Sequence, residues 1–303
     1  DGTMDDESYR LTVTPQGVQV VGADYGGVFN GLQTLLQLLP PEVYTGQATL
    51  PLAVDACRIE DAPRFHYRGM MLDVVRTWMD ADRVKRHIDL LSHLKINKLH
   101  LLLSNDEGWR LEIKSHPELT EIGAWRGGDS PVMPVYGKWD EKYGGFYTQN
   151  EMRGLIRYAA VRNIEIIPEI DLPGHSRDMA RVMPEVLCNY TPSLAASDGY
   201  DTRNVLCAAK ESNYALLKDI LGEIAAIFPS RYLHIGGDEA GFAHWQNSAE
   251  VTAFMQEHNL PTCSDMQLWA INRMSAYLAS KGVRMIGWNE ITGDNIRNEA
   301  HVE

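Results

Sequence analysis

The sequence predicts an α/β protein built around a (β/α)8 TIM-type barrel, for two reasons. From about residue 65 onward, strand-like apolar runs alternate with helical periodicities, which implies right-handed crossovers and a parallel sheet. Polar or aromatic residues follow each predicted strand, and the carboxyl ends of the strands are where such a barrel places its site. A doubly wound sheet would gather them at one switch point, whereas here they follow five strands.

Composition indicates a globular protein with a sizeable core. The 303 residues can form one large domain or one large and one small domain, and 44% of them are hydrophobic. Asp and Glu outnumber Lys and Arg by 41 to 28, a formal charge of −13, and no basic run occurs. This charge argues against nucleic acid and anionic membranes as partners. No apolar run approaches the length of a membrane span.

Cysteine spacing and glycine motifs give no sign of a metal or a cofactor. The four cysteines are scattered without a Cys-x-x-Cys pair, so a structural zinc site is not expected, and disulfides are allowed but not specified. No glycine loop of either nucleotide-binding type occurs, so no cofactor is predicted. Residues 1–8 are acidic and polar, so we expect no signal peptide there, as in a mature secreted chain.

The first part of the chain, residues 1–62, is predicted to be part of a small α+β domain. Two alternating strands are expected over 10–13 and 17–21. Apolar residues at helical spacing predict a helix over 28–39, which Pro40 and the next proline end. A connector over 59–63 then leads into the larger domain, residues 63–303.

The same periodicities predict the elements of the larger domain. A long loop rich in Gly, Pro and aromatic residues is expected over about 116–146, and Thr148 with Glu151 forms a capping box for the helix that follows it. In chain order the predicted elements are a strand over 70–75, a helix from Asp80 or Asp82 to about Leu94, a strand over 98–103, a helix over 149–162, a strand over 164–167, a helix over 212–227, a strand over 232–235, a helix over 265–280 and a strand over 283–286.

The fourth of these strands leads into a pair of adjacent carboxylates. Gly236 and Gly237 follow the strand, and Asp238 and Glu239 come next. Side chains alternate across a strand, and glycine permits the bend that would let both acids reach one pocket. Neighbouring carboxylates repel, which suits a proton donor beside a permanent anion. The alternative is a turn with solvated acids.

Candidate residues also follow the first two strands. Arg76 comes just after the first strand, where its guanidinium could bind sugar hydroxyls with Asp73 holding it in place. A salt-bridged arginine at the barrel rim is the alternative interpretation. Asn105, Asp106 and Glu107 end the second strand and could contact a ligand, although a simple turn would use the same residues.

The third and fifth strands end in a histidine and a tryptophan of interest. A Leu-Pro-Gly turn separates Asp171 from His175, which could shuttle a proton or have its pKa tuned by the acid. A structural histidine is equally compatible. His175, Asp171 and Glu169 lack the spacing of a zinc protease, so no metal is predicted. Trp288 could form an apolar wall against a sugar, or could belong to the core.

Taken together, these residues give a chain that resembles the β-N-acetylhexosaminidases of glycoside hydrolase family 20. The motifs occur in the family's order between about residues 64 and 290, and residues 1–62 resemble the end of its small non-catalytic domain. The resembling motifs are His234-x-Gly-Gly-Asp238-Glu239, Arg68-Gly-Met-Met-Leu-Asp-Val-Val-Arg76, Pro168-Glu-Ile-Asp-Leu-Pro-Gly-His175 and Gly287-Trp-Asn-Glu290.

The resemblance implies a retaining hydrolysis in which the 2-acetamido oxygen of the substrate is the nucleophile. It implies that Glu239 is the general acid and then the base, and that Asp238 orients the acetamido N–H and stabilises the oxazolinium charge. Arg76 would hold hydroxyls of the terminal sugar, His175 would tune the acid, and Trp288 would line the acetamido pocket. Amino-sugar glycans are the implied partners, and an extracytoplasmic location (secreted, periplasmic or lysosomal) is implied by the resemblance alone.

Two departures from the family pattern affect these expectations. Members usually carry Asp-Asp where this chain has Asn105-Asp106. If the first Asp supports His175 and the acid, the amide lacks that charge and would shift the pH optimum. Only five strands are predicted for a barrel that needs eight, and the family's later tyrosine and Trp-x-Glu pair have no counterpart. We therefore expect the barrel to be incomplete in this chain, with a free sheet edge that favours self-association.

Three functional hypotheses remain open. The first is an exo-acting hydrolase that removes terminal β-linked N-acetylglucosamine or N-acetylgalactosamine. The second is a non-catalytic fragment or a carbohydrate-binding relative that keeps the pocket but lacks turnover. The third is a barrel glycosidase that uses two carboxylates directly, Glu239 and a second acid such as Glu169, and that would also cleave sugars without the acetamido group.

Overall fold

The computed structural model describes residues 5–128, 141–188 and 205–292, and the backbone of residues 301 and 302. The chain divides into two compact units. The first comprises Asp1–Met70, Lys85–Leu99 and Arg157–Glu165, and the second comprises Met71–Val84, His100–Ile156 and Ile166–Glu303. The first unit takes residues from both sides of the predicted domain boundary at 62, which stays a prediction.

The first unit contains a small antiparallel sheet whose inward face carries Tyr9, Leu11 and Val13. The strand order is β2-β1-β3. Asp24 caps the first helix by accepting the Gly27 N–H, so this helix begins earlier than predicted. The elements are β1 (Tyr9–Thr14), β2 (Gly17–Gly22), α1 (Tyr25–Gln37), α2 (Glu42–Thr45) and β3 (Cys57–Asp61).

The larger sheet has six strands in the order β13-β12-β11-β10-β5-β4. In this sheet β10 pairs with β11, β11 with β12 and β12 with β13, each in parallel. Side chains such as Leu101, Ile167 and Leu233 are buried on it. Its strands are β4 (Gly69–Asp73), β5 (Lys98–Leu102), β10 (Glu165–Glu169), β11 (Tyr232–His234), β12 (Arg284–Gly287) and β13 (His301–Val302).

Two short ribbons and eight helices accompany this sheet in the described part of the chain. The ribbons pair β6 (Ser104–Asn105) with β7 (Gly108–Trp109) and β8 (Trp125–Arg126) with β9 (Tyr143–Gly144). The helices are α3 (Ala81–His93), α4 (Glu118–Glu121), α5 (Gln149–Ala160), α6 (Arg177–Val182), α7 (Glu211–Ile227), α8 (Ala243–Gln246), α9 (Ala249–Glu257) and α10 (Cys263–Ser280).

The α/β prediction is confirmed, with strands and helices alternating around a parallel sheet. All five predicted strands of the larger domain are present, and β13 adds a sixth. The connector predicted over 59–63 is wrong, because Ile59 lies in β3, opposite Leu11 of β1. The loop predicted over 116–146 is wrong in part, because it holds α4, β8 and β9, while residues 129–140 lie outside the described residues.

A disulfide joins Cys188 to Cys207 across 19 positions of sequence, a bond that the sequence left open. Both sulfurs are buried among apolar side chains that include Tyr214 and Trp245. None of the helices in the described ranges is long and apolar enough to cross a membrane.

Candidate active site

The carboxylate pair reaches the end of the sheet through a tight backbone turn. Gly236 has a φ of 68° and Gly237 a φ of 98°, both in the left-handed region that favours glycine. A Cβ on Gly236 would lie 1.9 Å from Oδ1 of Asp171, so no side chain fits there. Glu239 itself has a φ of 46°, and strain of this kind is typical of functional positions. The side chain of Asp238 is 24% exposed and that of Glu239 is 51% exposed.

His175 lies between this pair and a third carboxylate. Its Nδ1 atom is 2.9 Å from Oδ2 of Asp106, and its Nε2 atom is 3.5 Å from Oδ2 of Asp238 and 3.4 Å from Oε2 of Glu239. Burial disfavours the imidazolium charge, but the hydrogen bonds to Asp106 and Asp238 outweigh it and raise the pKa of His175 to about 11. The ring is therefore a cation at neutral pH that faces both acids of the pair.

Asn105 supports a different carboxylate from the one expected. Its Nδ2 atom donates to Oδ2 of Asp171 at 3.2 Å, and its Oδ1 atom accepts the N–H of Asp106 at 2.8 Å. The contact with His175 comes from Asp106 instead. The condition behind the expected loss of charge is therefore not met, because Asp106 and not residue 105 contacts His175. The effect of Asn105 on the pH optimum stays a prediction.

Asp171 is a buried acid beneath the pair. Burial, followed by the negative charges of Glu169 and Asp238, raises the pKa of Asp171 well above its usual range. The Asn105 amide therefore donates to an acid that resists ionisation. An oxygen atom of Asp171 can accept this hydrogen bond whether the carboxyl group is protonated or ionised.

Arg76 is held by two carboxylates. Nη1 of Arg76 donates to Oδ2 of Asp73 at 2.9 Å, which is the contact that the sequence predicted. Oε1 of Glu107 lies 3.6 Å from Nε of the same guanidinium. Burial raises the pKa of Glu107 even though the charge of Arg76 acts in the opposite direction. The side chain of Arg76 is 25% exposed, so part of the guanidinium faces solvent.

Trp288 follows β12 and packs against two histidines. Its ring centroid is 4.8 Å from that of His234 and 5.5 Å from that of His100. Glu169 lies against the same two imidazoles and has no exposed surface. The two imidazoles therefore support Trp288 at the strand ends that also carry the carboxylates.

Two groups of side chains in the described ranges are spaced closely enough to hold a cation: His100 with Glu169 and His234, and Asp171 with His175 and Asp238. In the first group, Nδ1 of His234 already accepts the Gly236 N–H at 3.0 Å. In the second, both nitrogens of His175 face carboxylates, and the protonated ring has no lone pair to offer. These contacts engage Nδ1 of His234 in the first group and both ring nitrogens of His175 in the second. The absence of a metal and of a cofactor stays a prediction.

Comparison with known proteins decides the family. The family model "Glycosyl hydrolase family 20, catalytic domain" matches residues 65–302 of this chain. The family model "Glycosyl hydrolase family 20, domain 2" matches residues 1–62. The chain belongs to glycosyl hydrolase family 20. The predicted family is thereby confirmed.

Curated and solved family 20 proteins resemble the chain over nearly its whole length. A β-hexosaminidase of Vibrio furnissii is 42% identical over 299 residues, covering 98% of this chain and 48% of the relative. A β-hexosaminidase of Porphyromonas gingivalis is 36% identical over 304 residues, covering 99% of this chain and 38% of the relative. The chain thus spans less than half the length of these two relatives.

Solved structures show the same fold. The family 20 exo-β-N-acetylglucosaminidase of Vibrio harveyi, in complex with N-acetylglucosamine, superposes with a TM-score of 0.88 at 38% identity, covering 100% of this chain and 47% of that one. The family 20 β-N-acetylhexosaminidase of Streptomyces coelicolor superposes with a TM-score of 0.83 at 36% identity, covering 100% of this chain and 55% of that one. These likenesses support the predicted family 20 barrel.

Several supporting residues of this family 20 site were not predicted in those roles. Arg126 donates to the carbonyl oxygens of Val75, at 3.3 Å, and Arg76, and so fixes the backbone that carries the guanidinium. Nothing in the sequence around Arg126 marks it for this contact. The sequence does carry a signal for the role of His100. It is an ionisable residue inside an apolar strand, and such a residue needs a buried partner.

Proposed function

We propose that the protein is a retaining exo-β-N-acetylhexosaminidase that removes terminal β-linked N-acetylglucosamine or N-acetylgalactosamine from amino-sugar glycans. The observation that carries this proposal is the position of His175, which lies within 3.5 Å of Asp238 and Glu239 and contacts Asp106 through its other ring nitrogen. The hexosaminidase names of the relatives support the substrate class.

The two carboxylates have environments suited to different roles. Glu239 is the more exposed of the two, which suits an acid that must reach the leaving oxygen. Asp238 is more enclosed, and its Oδ1 atom is buried without a hydrogen-bond partner among the described residues. A buried carboxylate oxygen of this kind accepts an N–H readily, so it suits the amide N–H of an acetamido group.

In the first step, the acetamido carbonyl oxygen forms a bond to C1 of the sugar as the bond from C1 to the leaving oxygen breaks. Glu239 gives its proton to that oxygen, and Asp238 stabilises the positive charge of the oxazolinium ion. In the second step, Glu239 takes a proton from water while the water oxygen bonds to C1 and displaces the acetamido oxygen. Each displacement inverts the configuration at C1, so the two together retain the configuration of the glycoside. Family 20 is among the groups known to use this substrate-assisted route.

The remaining predicted residues have supporting roles in this proposal. Arg76, fixed by Asp73 and Glu107, binds hydroxyls of the terminal sugar. Asn105 and Asp106 act through their neighbours, since Asn105 contacts Asp171 and Asp106 contacts His175. Trp288, half-buried beside its two histidines, forms the apolar wall of the acetamido pocket.

The burial of Glu169 argues against the hypothesis that it is a second catalytic carboxylate. Its side chain has no exposed surface and lies between the imidazoles of His100 and His234. A direct nucleophile must reach C1 of the sugar, which a fully enclosed carboxylate does not do.

Hydrolysis of p-nitrophenyl β-N-acetylglucosaminide by the full-length gene product tests the proposal. We expect turnover of this substrate, little turnover of the matching glucoside without the acetamido group, and loss of activity in Glu239→Gln. Equal cleavage of the two glycosides would contradict the substrate-assisted mechanism. Binding of N-acetylglucosamine without turnover would favour the carbohydrate-binding alternative instead.

We also propose an extracytoplasmic location, which the Cys188–Cys207 disulfide supports because such bonds persist in oxidising compartments. We propose further that the chain self-associates through the free edge of its sheet, because an unpaired strand edge can pair with another chain.

A further inference from the structure

Glu169 is a buried charged residue that the proposed chemistry does not use. It ends β10 and has no exposed surface. Its Oε2 atom lies 2.6 Å from Nε2 of His100 on β5, and its Oε1 atom lies 3.1 Å from Nδ1 of His234 on β11. The three side chains therefore join three strands of the larger sheet inside the core.

The carboxylate remains ionised in this position. Burial disfavours its charge, but the contacts with His100 and His234 outweigh burial and lower the pKa of Glu169 to about 2. A buried charge is costly unless its partners compensate it. Both imidazoles thus lie against an enclosed anion, and a change at Glu169 would alter the contacts of both rings.

The same imidazoles support Trp288. The ring centroids of His100 and His234 are 4.4 Å apart, and both rings lie against the indole, at 5.5 and 4.8 Å. The backbone of Trp288 is tied to the same place, since its N–H donates to the carbonyl oxygen of Gly236 at 2.9 Å. Gly236 in turn donates its N–H to Nδ1 of His234 at 3.0 Å. Glu169 therefore contacts the two imidazoles, and these imidazoles contact the indole of Trp288.

We propose that Glu169 is a positioning residue that sets the size of the acetamido pocket by holding His100 and His234 beneath Trp288. The inference rests on the proposed function, in which Trp288 is the wall of that pocket. It assigns Glu169 to acyl-group selectivity rather than to proton transfer, because the carboxylate is enclosed and contacts the substrate pocket only through other side chains.

The test compares two substrates of the full-length gene product, the p-nitrophenyl β-glucosaminides with an N-acetyl or an N-propanoyl group. One methylene in an apolar pocket is worth about tenfold or more in kcat/KM, so the unaltered protein should prefer the N-acetyl substrate by at least that factor. Glu169→Gln keeps the shape but removes the charge. We expect it to lower this preference about fivefold, mainly through KM, because a loosened wall discriminates less well.

Asp178→Asn is the matched control. Asp178 is also a buried carboxylate, and it is paired with Arg181 on the helix α6 and not with either imidazole beside Trp288. Its variant should keep the preference for the N-acetyl substrate even if its stability falls. An equal loss of preference in Asp178→Asn would overturn the assignment, and so would an unchanged preference in Glu169→Gln.

A second variant covers the case in which Glu169→Gln does not fold. His100→Asn removes the imidazole that contacts both Glu169 and Trp288, and it should lower the preference in the same way. An unchanged preference in that variant would equally overturn the inference. Failure of the unaltered protein to cleave either amino sugar would instead count against the proposed function, so the two failures are distinguishable.

Discussion

At the scale of single residues, Gly236 occupies a position with very little room for an added side chain. A methyl group there would meet Oδ1 of Asp171 at 1.9 Å, and the φ of 68° disfavours any other residue. We expect Gly236→Ala to lower the free energy of unfolding by about 3 kcal/mol, since it combines backbone strain with overpacking. Urea denaturation of the purified variant measures this loss.

Gly154 supplies the control for that substitution. It lies in α5, and a Cβ built on it meets nothing within 4 Å. Gly154→Ala should therefore raise the free energy of unfolding by about 0.5 to 1 kcal/mol through helix propensity. A Gly236→Ala protein as stable as Gly154→Ala would show that the turn does not need glycine.

His175 makes the stability of the fold depend on pH in a defined direction. The carboxylates raise the pKa of His175 from 6.5 to about 11, so the folded state binds this proton more tightly than the unfolded state. The resulting stability is fully present below about pH 6.5 and declines as the pH rises toward the folded pKa. The difference in unfolding free energy between the unaltered protein and His175→Gln should therefore be larger at about pH 6 than at about pH 9. A difference that grows with pH would contradict the assignment of charge to the ring.

The support of Arg76 by Asp73 was predictable from the sequence, whereas the contacts of Glu107 and Glu169 were not. Asp238, Glu239 and His175 sit in local motifs directly after strands, where a strand end and a Gly or Pro turn mark them out. Glu107 contacts Arg76, and Glu169 contacts His100. In each pair the two residues are far apart in the sequence, and the fold brings them together. Such long-range contacts leave no local pattern in the sequence.

At the scale of elements, continuous apolar runs identified every strand of the central sheet except β13. The antiparallel strand β3 was missed because Arg58 and Glu60 alternate with its inward residues and a proline follows closely, so the segment resembled a connector. The helix α9 was not predicted, although Val251, Phe254 and Met255 have helical spacing and pack against the same apolar cluster.

The Cys188–Cys207 disulfide allows a prediction at this scale. It closes a loop with a sequence separation of 19, and in the chain-entropy view a loop of that length contributes about 3 kcal/mol. Cys188→Ser should lower the free energy of unfolding by about this amount, and a reductant should have the same effect on the unaltered protein but no such effect on Cys188→Ser. Cys263→Ser, at a free and half-buried cysteine, is the control and should change stability little. Equal stability of Cys188→Ser and Cys263→Ser would mean that the bond contributes nothing.

At the scale of the whole molecule, the parallel sheet was predictable because its strands are apolar runs that alternate with helices. This alternation fixes the handedness of the crossovers and the common direction of the strands. The two compact units were not predictable from the boundary near residue 62, because Lys85–Leu99 and Arg157–Glu165 join the first unit through contacts that are remote in sequence. The chain covers 48% of the V. furnissii relative and 38% of the P. gingivalis relative, so activity measurements belong to the full-length gene product.

The central claim is that the acetamido oxygen of the substrate, and not an enzyme carboxylate, attacks the sugar. The most direct measurement is kcat/KM for a series of p-nitrophenyl glucosaminides carrying N-acetyl, N-fluoroacetyl, N-difluoroacetyl and N-trifluoroacetyl groups. Each fluorine withdraws electron density from the carbonyl oxygen, so a mechanism that uses this oxygen as the nucleophile predicts a fall in kcat/KM at every step. Equal values across the series would contradict the account, because they would show that the acetamido group takes no part in bond formation.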